Sequence, residues 1–335
     1  MPEEVGVVRG IVVGVDLGGT KIYTALAEQS GRVLAEVMVP TRPWEGAGAV
    51  IGRIVETVDQ VLKQAGEQGP PLALGIGSPG PLNAATGVVY QAPNLGWHDV
   101  PLKEHLEERL CIPVAVDNDA NLAALGEYVY GAGRGEEEMV YITVSTGIGG
   151  GLVLRGRLYH GAGYGAGEIG HMTIDPGGPR CGCGNYGCLE AMASGTAMAR
   201  EARRLVESGG GRAILEAAGG DVDAITAREV ARAAAAGDAE ARQIIINAGR
   251  ALGIGVANVI NLLNPALVVL GGGAMQVGPL LWETMEEEVS RRAWAPALKR
   301  VRLVPAELGG RSGLMGAVAL ALQKARGEKP PNPVV

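Results

Sequence analysis

Apolar positions in the first 117 residues fall into two alternating spacings. Residues 10–16 form a short continuous apolar run that ends at Asp16, and the spacing over 20–27 and 33–39 predicts two further strands about the turn Ser30-Gly31-Arg32. Val50, Ile54, Val58, Val61 and Leu62 recur at helical spacing across 49–65, a strand opens at 71–76, and a charged helix over 102–110 leads back to a strand at 114–116. Strands alternating with helices in this way predict an α/β domain. The order then repeats. Residues 139–144 form an apolar strand, 145–151 read as a Gly-rich turn, and 152–154 with 157–159 form a hairpin around Gly156. A duplication on this scale implies two similar lobes with a cleft between them, where ligands collect. The long apolar stretch 251–270 is interrupted by Asn258, Asn261, Asn264 and Pro265, so it reads as a buried helix over 248–263, a break and a strand at 266–270, and not as a membrane span. Residues 313–325 are apolar enough to pack inside as a last helix, and the Pro-rich tail over 327–333 is expected to be loose.

Composition narrows the class. A chain of 335 residues, 47% hydrophobic and 19% charged, suits a compact two-lobed protein. Its net charge of −7 offers no basic stripe for a nucleic acid, though a small anion needs only local donors. Met1-Pro2-Glu3-Glu4 is acidic where a secretory signal is basic, and the apolar run that follows contains Arg9 and Asp16, so a reducing cytoplasm is expected.

In that compartment His171, Cys181, Cys183 and Cys188, spaced His-x9-Cys-x-Cys-x4-Cys, read as a closed tetrahedral zinc site that orders a loop and does no redox chemistry. Disulfides are the competing reading, but Cys181 and Cys183 are too close together to staple much, and Cys111 is expected to be an ordinary buried thiol. The same segment carries Glu168 and Glu190, carboxylates with no partner in the local sequence.

Two Gly-rich turns occupy matching places in the repeats. In Asp16-Leu17-Gly18-Gly19-Thr20-Lys21 the backbone can approach an anion, Thr20 adds a hydroxyl, Lys21 adds charge, and Asp16 can position Mg2+ through water. Residues 145–151 repeat this without the acid. Neither is a Walker sequence or a dinucleotide fingerprint, and either alone reads as a plain hairpin; the matched pair points to phosphate. A third cluster, Gly271-Gly272-Gly273, follows a strand and precedes a helix from Pro279, which suits a nucleotide as well as a tight βα turn. Asp117-Asn118-Asp119-Ala120-Asn121 stands between a strand and a helix read over 122–130. Strand alternation would set Asp117 and Asp119 on one side, one polar residue would cap the helix, and a carboxylate left over could accept a hydroxyl proton during phosphoryl transfer.

Together these elements resemble the ROK family of sugar kinases and repressors, and within it the bacterial glucokinases. The resemblance runs from Ile11 to about Leu322, and Cys181-Gly182-Cys183-Gly184-Asn185-Tyr186-Gly187-Cys188-Leu189-Glu190 is its most specific motif. It implies a duplicated actin-like (RNase H-like) α/β fold, with residues 1–117 plus 313–326 in a smaller lobe and 118–312 in a larger one carrying the zinc loop. It also implies ATP and Mg2+ in the interlobe cleft, glucose beside them, structural Zn2+, a glycolytic role and a homodimer or homotetramer. By matching positions, Asp119 would be the general base. Asn118, Asp119, Glu168, His171 and Glu190 would hold sugar hydroxyls, with Gly80 in the sugar-side loop Gly77-Ser78-Pro79-Gly80-Pro81. Asp16, Gly18, Gly19, Thr20, Lys21, Thr146, Gly147 and Gly272 would face the nucleotide. If one imidazole nitrogen of His171 binds zinc, the other is free to donate to a sugar hydroxyl. Kinases for N-acetylmannosamine, mannose or fructose share such polar residues, and polyphosphate is an alternative donor. Sugar-sensing repressors of the family carry a helix-turn-helix before the first strand, where only about ten residues are found in this sequence.

Overall fold

The computed structural model describes residues 10–66 and 69–328; the acidic start of the chain and most of the Pro-rich tail lie outside the described residues. In chain order, β1 (Ile11–Leu17), β2 (Lys21–Glu28) and β3 (Val33–Pro40) precede α1 (Ala47–Ala65), β4 (Leu74–Ser78), a ribbon of β5 (Leu82–Asn83), β6 (Val88–Ala92) and β7 (Trp97–Pro101), α2 (Leu102–Leu110) and β8 (Val114–Asn118). Then come α3 (Asp119–Tyr130), β9 (Met139–Val144), β10 (Ile148–Leu154), β11 (Arg157–Tyr159), α4 (Leu189–Ala193), α5 (Gly195–Glu207), α6 (Arg212–Ala217), α7 (Ala227–Ala235) and α8 (Ala239–Leu263). The chain continues through β12 (Leu267–Gly271), α9 (Pro279–Arg292), α10 (Ala295–Leu298), β13 (Arg302–Pro305) and α11 (Ser312–Ala325).

The duplication expected from the sequence is visible in the sheets, ordered β3-β2-β1-β4-β8 and β11-β10-β9-β12-β13. In each, three antiparallel strands are extended by two parallel ones. This is the duplicated actin-like α/β architecture. The continuous apolar runs of β1 and β12 are explained by burial on both faces of a sheet. Val50, Ile54, Val58 and Val61 turn one face of α1 into the first core, and α8 lies in the core of the second half. By length and hydropathy α8 alone among the described helices passes for a membrane span, but 67% of its most apolar window is buried in the fold.

Three local expectations are corrected. The polar cluster at 117–121 does not precede its helix: α3 starts at Asp119, because the Asn118 side chain caps it. The segment 145–151 is not all turn. β10 begins at Ile148, and a Cβ on Gly149 or Gly151 would come within 3.0 Å of the Ala120 methyl or 2.5 Å of the Ala124 methyl, so these glycines let α3 lie against the strand. Cys111 is exposed and closes α2 with a left-handed backbone, φ 55°.

The halves meet where α3 crosses α11. α11 packs on the first sheet through Val318, Ala321 and Leu322, while Ala123 and Ala124 of α3 pack on β9 and β10. The backbones touch at the crossing: a Cβ on Gly316 would stand 1.7 Å from the Leu122 carbonyl oxygen, and one on Gly126 would stand 2.2 Å from that of Ser312. Beside it, buried Glu127 accepts hydrogen bonds from the Ala132, Glu307 and Leu308 amides and the Ser312 hydroxyl. Gly316→Ala must push the helices apart and is expected to cost about 3 kcal/mol or more. By contrast Gly48→Ala, on an exposed turn of α1 with nothing within 4 Å, is expected to gain up to about 1 kcal/mol. Urea midpoints of the two variants test the contrast; equal midpoints would remove the crossing from the account.

Candidate active site

The corner between β8 and α3 supplies the central acid. Asn118 ends the strand in extended conformation, and its Oδ1 accepts from the Ala120 amide at 2.9 Å and the Asn121 amide at 3.4 Å. Asp119 therefore stands at the first helical position, accepting from the Ala120 amide at 2.8 Å. Burial in the cleft floor, with the charges of Asp16 and Glu168 nearby, pushes its pKa up from 3.8 to about 6, against the pull of the Ala120 hydrogen bond. Asp117 points elsewhere. Its Oδ1 accepts from the Asn118 amide at 2.7 Å and Asn121 Nδ2 at 3.0 Å, and its Oδ2 takes a 2.6 Å hydrogen bond from His160 Nε2. Alternation stops at Asn118 because the helix begins there, so Asp117 and Asp119 do not share a side.

Gly80, Asn118, Asp119, Glu168, His171 and Glu190 all border one cavity of about 230 Å³. That is just below the usual range of about 300–1,000 Å³ for small-molecule pockets, so a ligand held wholly inside it is small. Gly80 brings its backbone close, since a Cβ there would stand 3.3 Å from Asn118 Nδ2. Because the Asn118 oxygen is used in capping, the amide nitrogen is the group left for a ligand. Tyr90 and Tyr164 also border the cavity and were missed in the sequence, and Asn121, read there only as part of the polar cluster 117–121, borders it too. Tyr164 had one local signal, its place in a run of alternating glycines.

The His/Cys segment forms a compact loop. Short bridges join Thr173 to Cys188 and Arg180 to Tyr186, and the Leu189 amide donates to the Met172 carbonyl, returning the chain to α4. Ligand atoms of His171, Cys181, Cys183 and Cys188 lie within 4.8 Å of one another, with Cys183 Sγ to Cys188 Sγ and Cys181 Sγ to His171 Nδ1 both 3.7 Å. A Zn–S bond of about 2.3 Å gives a tetrahedron with edges of about 3.8 Å, so the donor set fits zinc. Nδ1 of His171 faces the thiols while Nε2 is 4.0 Å from Glu168 Oε2. Glu190, in the first turn of α4, spans two structures: Oε1 lies 3.8 Å from Cys181 Sγ and Oε2 accepts from the Ile148 amide at 2.9 Å.

The residues expected on the nucleotide side do not line this cavity but adjoin it, at the carboxyl ends of β1, β9 and β12, the usual position for ligands of such sheets. The Gly18 amide donates to the Lys21 carbonyl, Thr41 Oγ1 donates to the Gly18 carbonyl at 2.6 Å, and Gly19 packs on Asn94. Thr20 and Lys21 remain exposed, Lys21 Nζ lying 5.6 Å from the Tyr23 ring centre. Burial raises the Asp16 pKa, partly offset by Lys21. In the matching turn the Ser145 amide donates to the Gly147 carbonyl, Thr146 is exposed, and Gly147 lies against the Glu190 carboxylate. Gly272, φ 93°, lets the turn after β12 press on the Val144 carbonyl.

A model of the ROK family matches residues 12–324. The chain is 38% identical to the glucokinase of Halalkalibacterium halodurans over 93% of its own length and 95% of that protein's. It is 32% identical to the xylose repressor of Caldicellulosiruptor bescii over 93% of its length and 78% of the repressor's. Among solved structures, a ROK hexokinase from Thermus thermophilus superposes with a TM-score of 0.80 at 39% identity, covering 95% of this chain and 99% of that one. A ROK family glucokinase from Streptomyces griseus, in complex with glucose and AMPPNP, gives 0.80 at 36%, covering 94% and 100%. Since the family model spans nearly the whole chain and the same fold recurs in relatives of comparable length, the protein belongs to the ROK family.

Proposed function

We propose that the protein is an ATP-dependent glucokinase that transfers the γ-phosphoryl group to the 6-hydroxyl of glucose, with Asp119 as general base. The observation that carries this reading is the convergence of Asp119, two further carboxylates, an amide and an imidazole on one monosaccharide-sized cavity. The glucose and nucleotide analogue bound by the Streptomyces griseus relative support it. In this scheme Asn118, Glu168, His171 Nε2 and Glu190 hold sugar hydroxyls and orient the 6-hydroxyl toward Asp119, which takes its proton as the bond to phosphorus forms. Asp16, the turn 18–21, Thr146, Gly147 and Gly272 attend the nucleotide. Bound Mg2+ would supply neutralising charge at the phosphates, with Asp16 holding it through water. His171 Nδ1, Cys181, Cys183 and Cys188 would hold zinc, which orders the loop. The lobes are then 1–117 with 313–326 and 118–312, closing over both substrates to exclude water.

A coupled assay of ADP release over glucose, mannose, fructose, N-acetylglucosamine and N-acetylmannosamine tests the assignment. Glucose is expected to give the highest kcat/KM. A higher value for another sugar makes the protein a different hexose kinase, and no turnover with any of them ends the kinase reading. The base has its own signature. Its ionised form does the work and its pKa is about 6, so kcat/KM for glucose is expected to fall about tenfold per pH unit below that value and to level off above it. A profile flat down to pH 4.5 would contradict Asp119 as base.

A further inference from the structure

The buried pair His160–Asp117 is used by no step above, and its position is informative. Asp117 is 3% exposed and lies on β8, the edge strand of the first sheet; His160 is 5% exposed and follows β11, the edge strand of the second. Their 2.6 Å hydrogen bond therefore joins the edge strand of the first sheet to the segment that leaves the second, outside the lining of the sugar cavity. On the Asp117 side the bond leads directly to the catalytic corner, because the same carboxylate accepts from the Asn118 amide and from Asn121, one residue before and two after Asp119. On the His160 side it leads to residues 161–167, which no strand ladder or helix holds. This segment turns through positive φ at Gly161, Tyr164 and Gly167, closes on itself where the Ala166 amide donates to the His160 carbonyl at 3.1 Å, and borders the sugar cavity from Gly163 to Glu168. The His160 ring also meets the Tyr164 ring edge-on, with centres 6.1 Å apart. Burial alone would lower the His160 pKa, but the hydrogen bond and charge of Asp117 outweigh it and the net shift is upward, consistent with a firm contact.

We propose that His160 is a positioning residue: its hydrogen bond to Asp117 pins the sugar-side segment 160–168 to the corner that carries Asp119, so that substrate and base keep a fixed separation. This rests on the hexose-kinase reading. A purely structural pair would affect stability and the fraction of active protein. A pin of this kind acts on the sugar and leaves the nucleotide alone.

The test compares His160→Gln, whose amide nitrogen reaches the position of Nε2, with His160→Asn, whose amide stops at Nδ1 and cannot reach Asp117. Steady-state kinetics in glucose and in ATP are read beside amide hydrogen exchange of residues 160–168. The Gln variant is expected within about threefold of the parent in every constant. The Asn variant is expected to raise the glucose KM at least about tenfold and to lower kcat by a similar factor, as loss of an orienting partner commonly does, with the ATP KM within about twofold and faster exchange in 160–168. If the Asn variant does not fold, His160→Leu, which fills similar space and carries no donor, takes its place with the same expectation. Equal behaviour of Gln and Asn, or a lowered Tm with an unmoved glucose KM, overturns the proposal. If the parent protein phosphorylates no hexose, the functional reading fails on its own, and the exchange comparison still decides whether His160 holds the segment.

Discussion

Asp119→Asn is expected to bind glucose within about threefold of the parent while kcat falls by about a thousandfold, in the range of about 10²–10⁴ for loss of a general base. The amide keeps the oxygen that accepts from Ala120 and keeps the shape of the cavity floor, but it cannot take a proton. The same variant is expected to be more stable. The folded pKa of about 6 lies above the 3.8 of an ordinary aspartate, so folding favours the protonated acid. The stability this confers is full below pH 3.8 and is lost as pH rises to about 6, leaving an ionised, poorly solvated carboxylate at neutrality. Two pK units are worth at most about 3 kcal/mol, and partial access to water reduces this to roughly 1–2 kcal/mol. Calorimetric titration with glucose, turnover and urea midpoints at pH 5 and pH 8 measure all three quantities. Near-parental kcat would remove Asp119 from the chemistry. A stability gain no larger at pH 8 than at pH 5 would remove the argument from burial and from the neighbouring carboxylates.

The second large effect concerns the His/Cys loop. Cys181→Ala is expected to abolish zinc binding and to raise the glucose KM by about 10–100-fold or abolish activity, with a smaller change in the ATP KM. Cys181 Sγ lies against both His171 Nδ1 and the Glu190 carboxylate, so losing it frees two groups that border the cavity proposed for the sugar. Removing the metal from the unaltered protein with a chelator should reproduce the effect, and adding zinc back should reverse it. Full activity in protein shown by elemental analysis to contain no zinc would refute the coupling of loop to sugar.

Much of the fold was legible because its signals are short-range. The runs 10–16 and 139–144 read as strands, observed at 11–17 and 139–144, since they are short, rich in β-branched residues and buried on both faces. The ribbon β5–β7 went unread because its strands are short and closely flanked by Pro81, Pro93 and Gly96, so no period of two has room to develop. Helices α5 and α7 were missed for the opposite reason: their buried faces are largely alanine, which contrasts weakly with its neighbours. Gly149 to Gly151 read as turn because glycine is the commonest turn residue, whereas their lack of side chains admits α3 and the Ile169 side chain. His160 carried no local signal; a single histidine declares nothing until a carboxylate from another sheet stands beside it.

From the sequence alone came the α/β duplication, the thiol and imidazole groups at 171, 181, 183 and 188, and the polar cluster at 117–121 that contains Asp119. Each is a matter of residue type and spacing along the chain, which covalent geometry carries directly into space. The tertiary structure decided that Gly80, Asn118, Asp119, Glu168, His171 and Glu190 share one cavity, and that Asp117 turns away from Asp119 toward His160. It also decided the raised pKa of Asp119. Desolvation and charge act through space, and what surrounds Asp119, above all Asp16 and Glu168, is assembled only when the two sheets fold against α3 and α11.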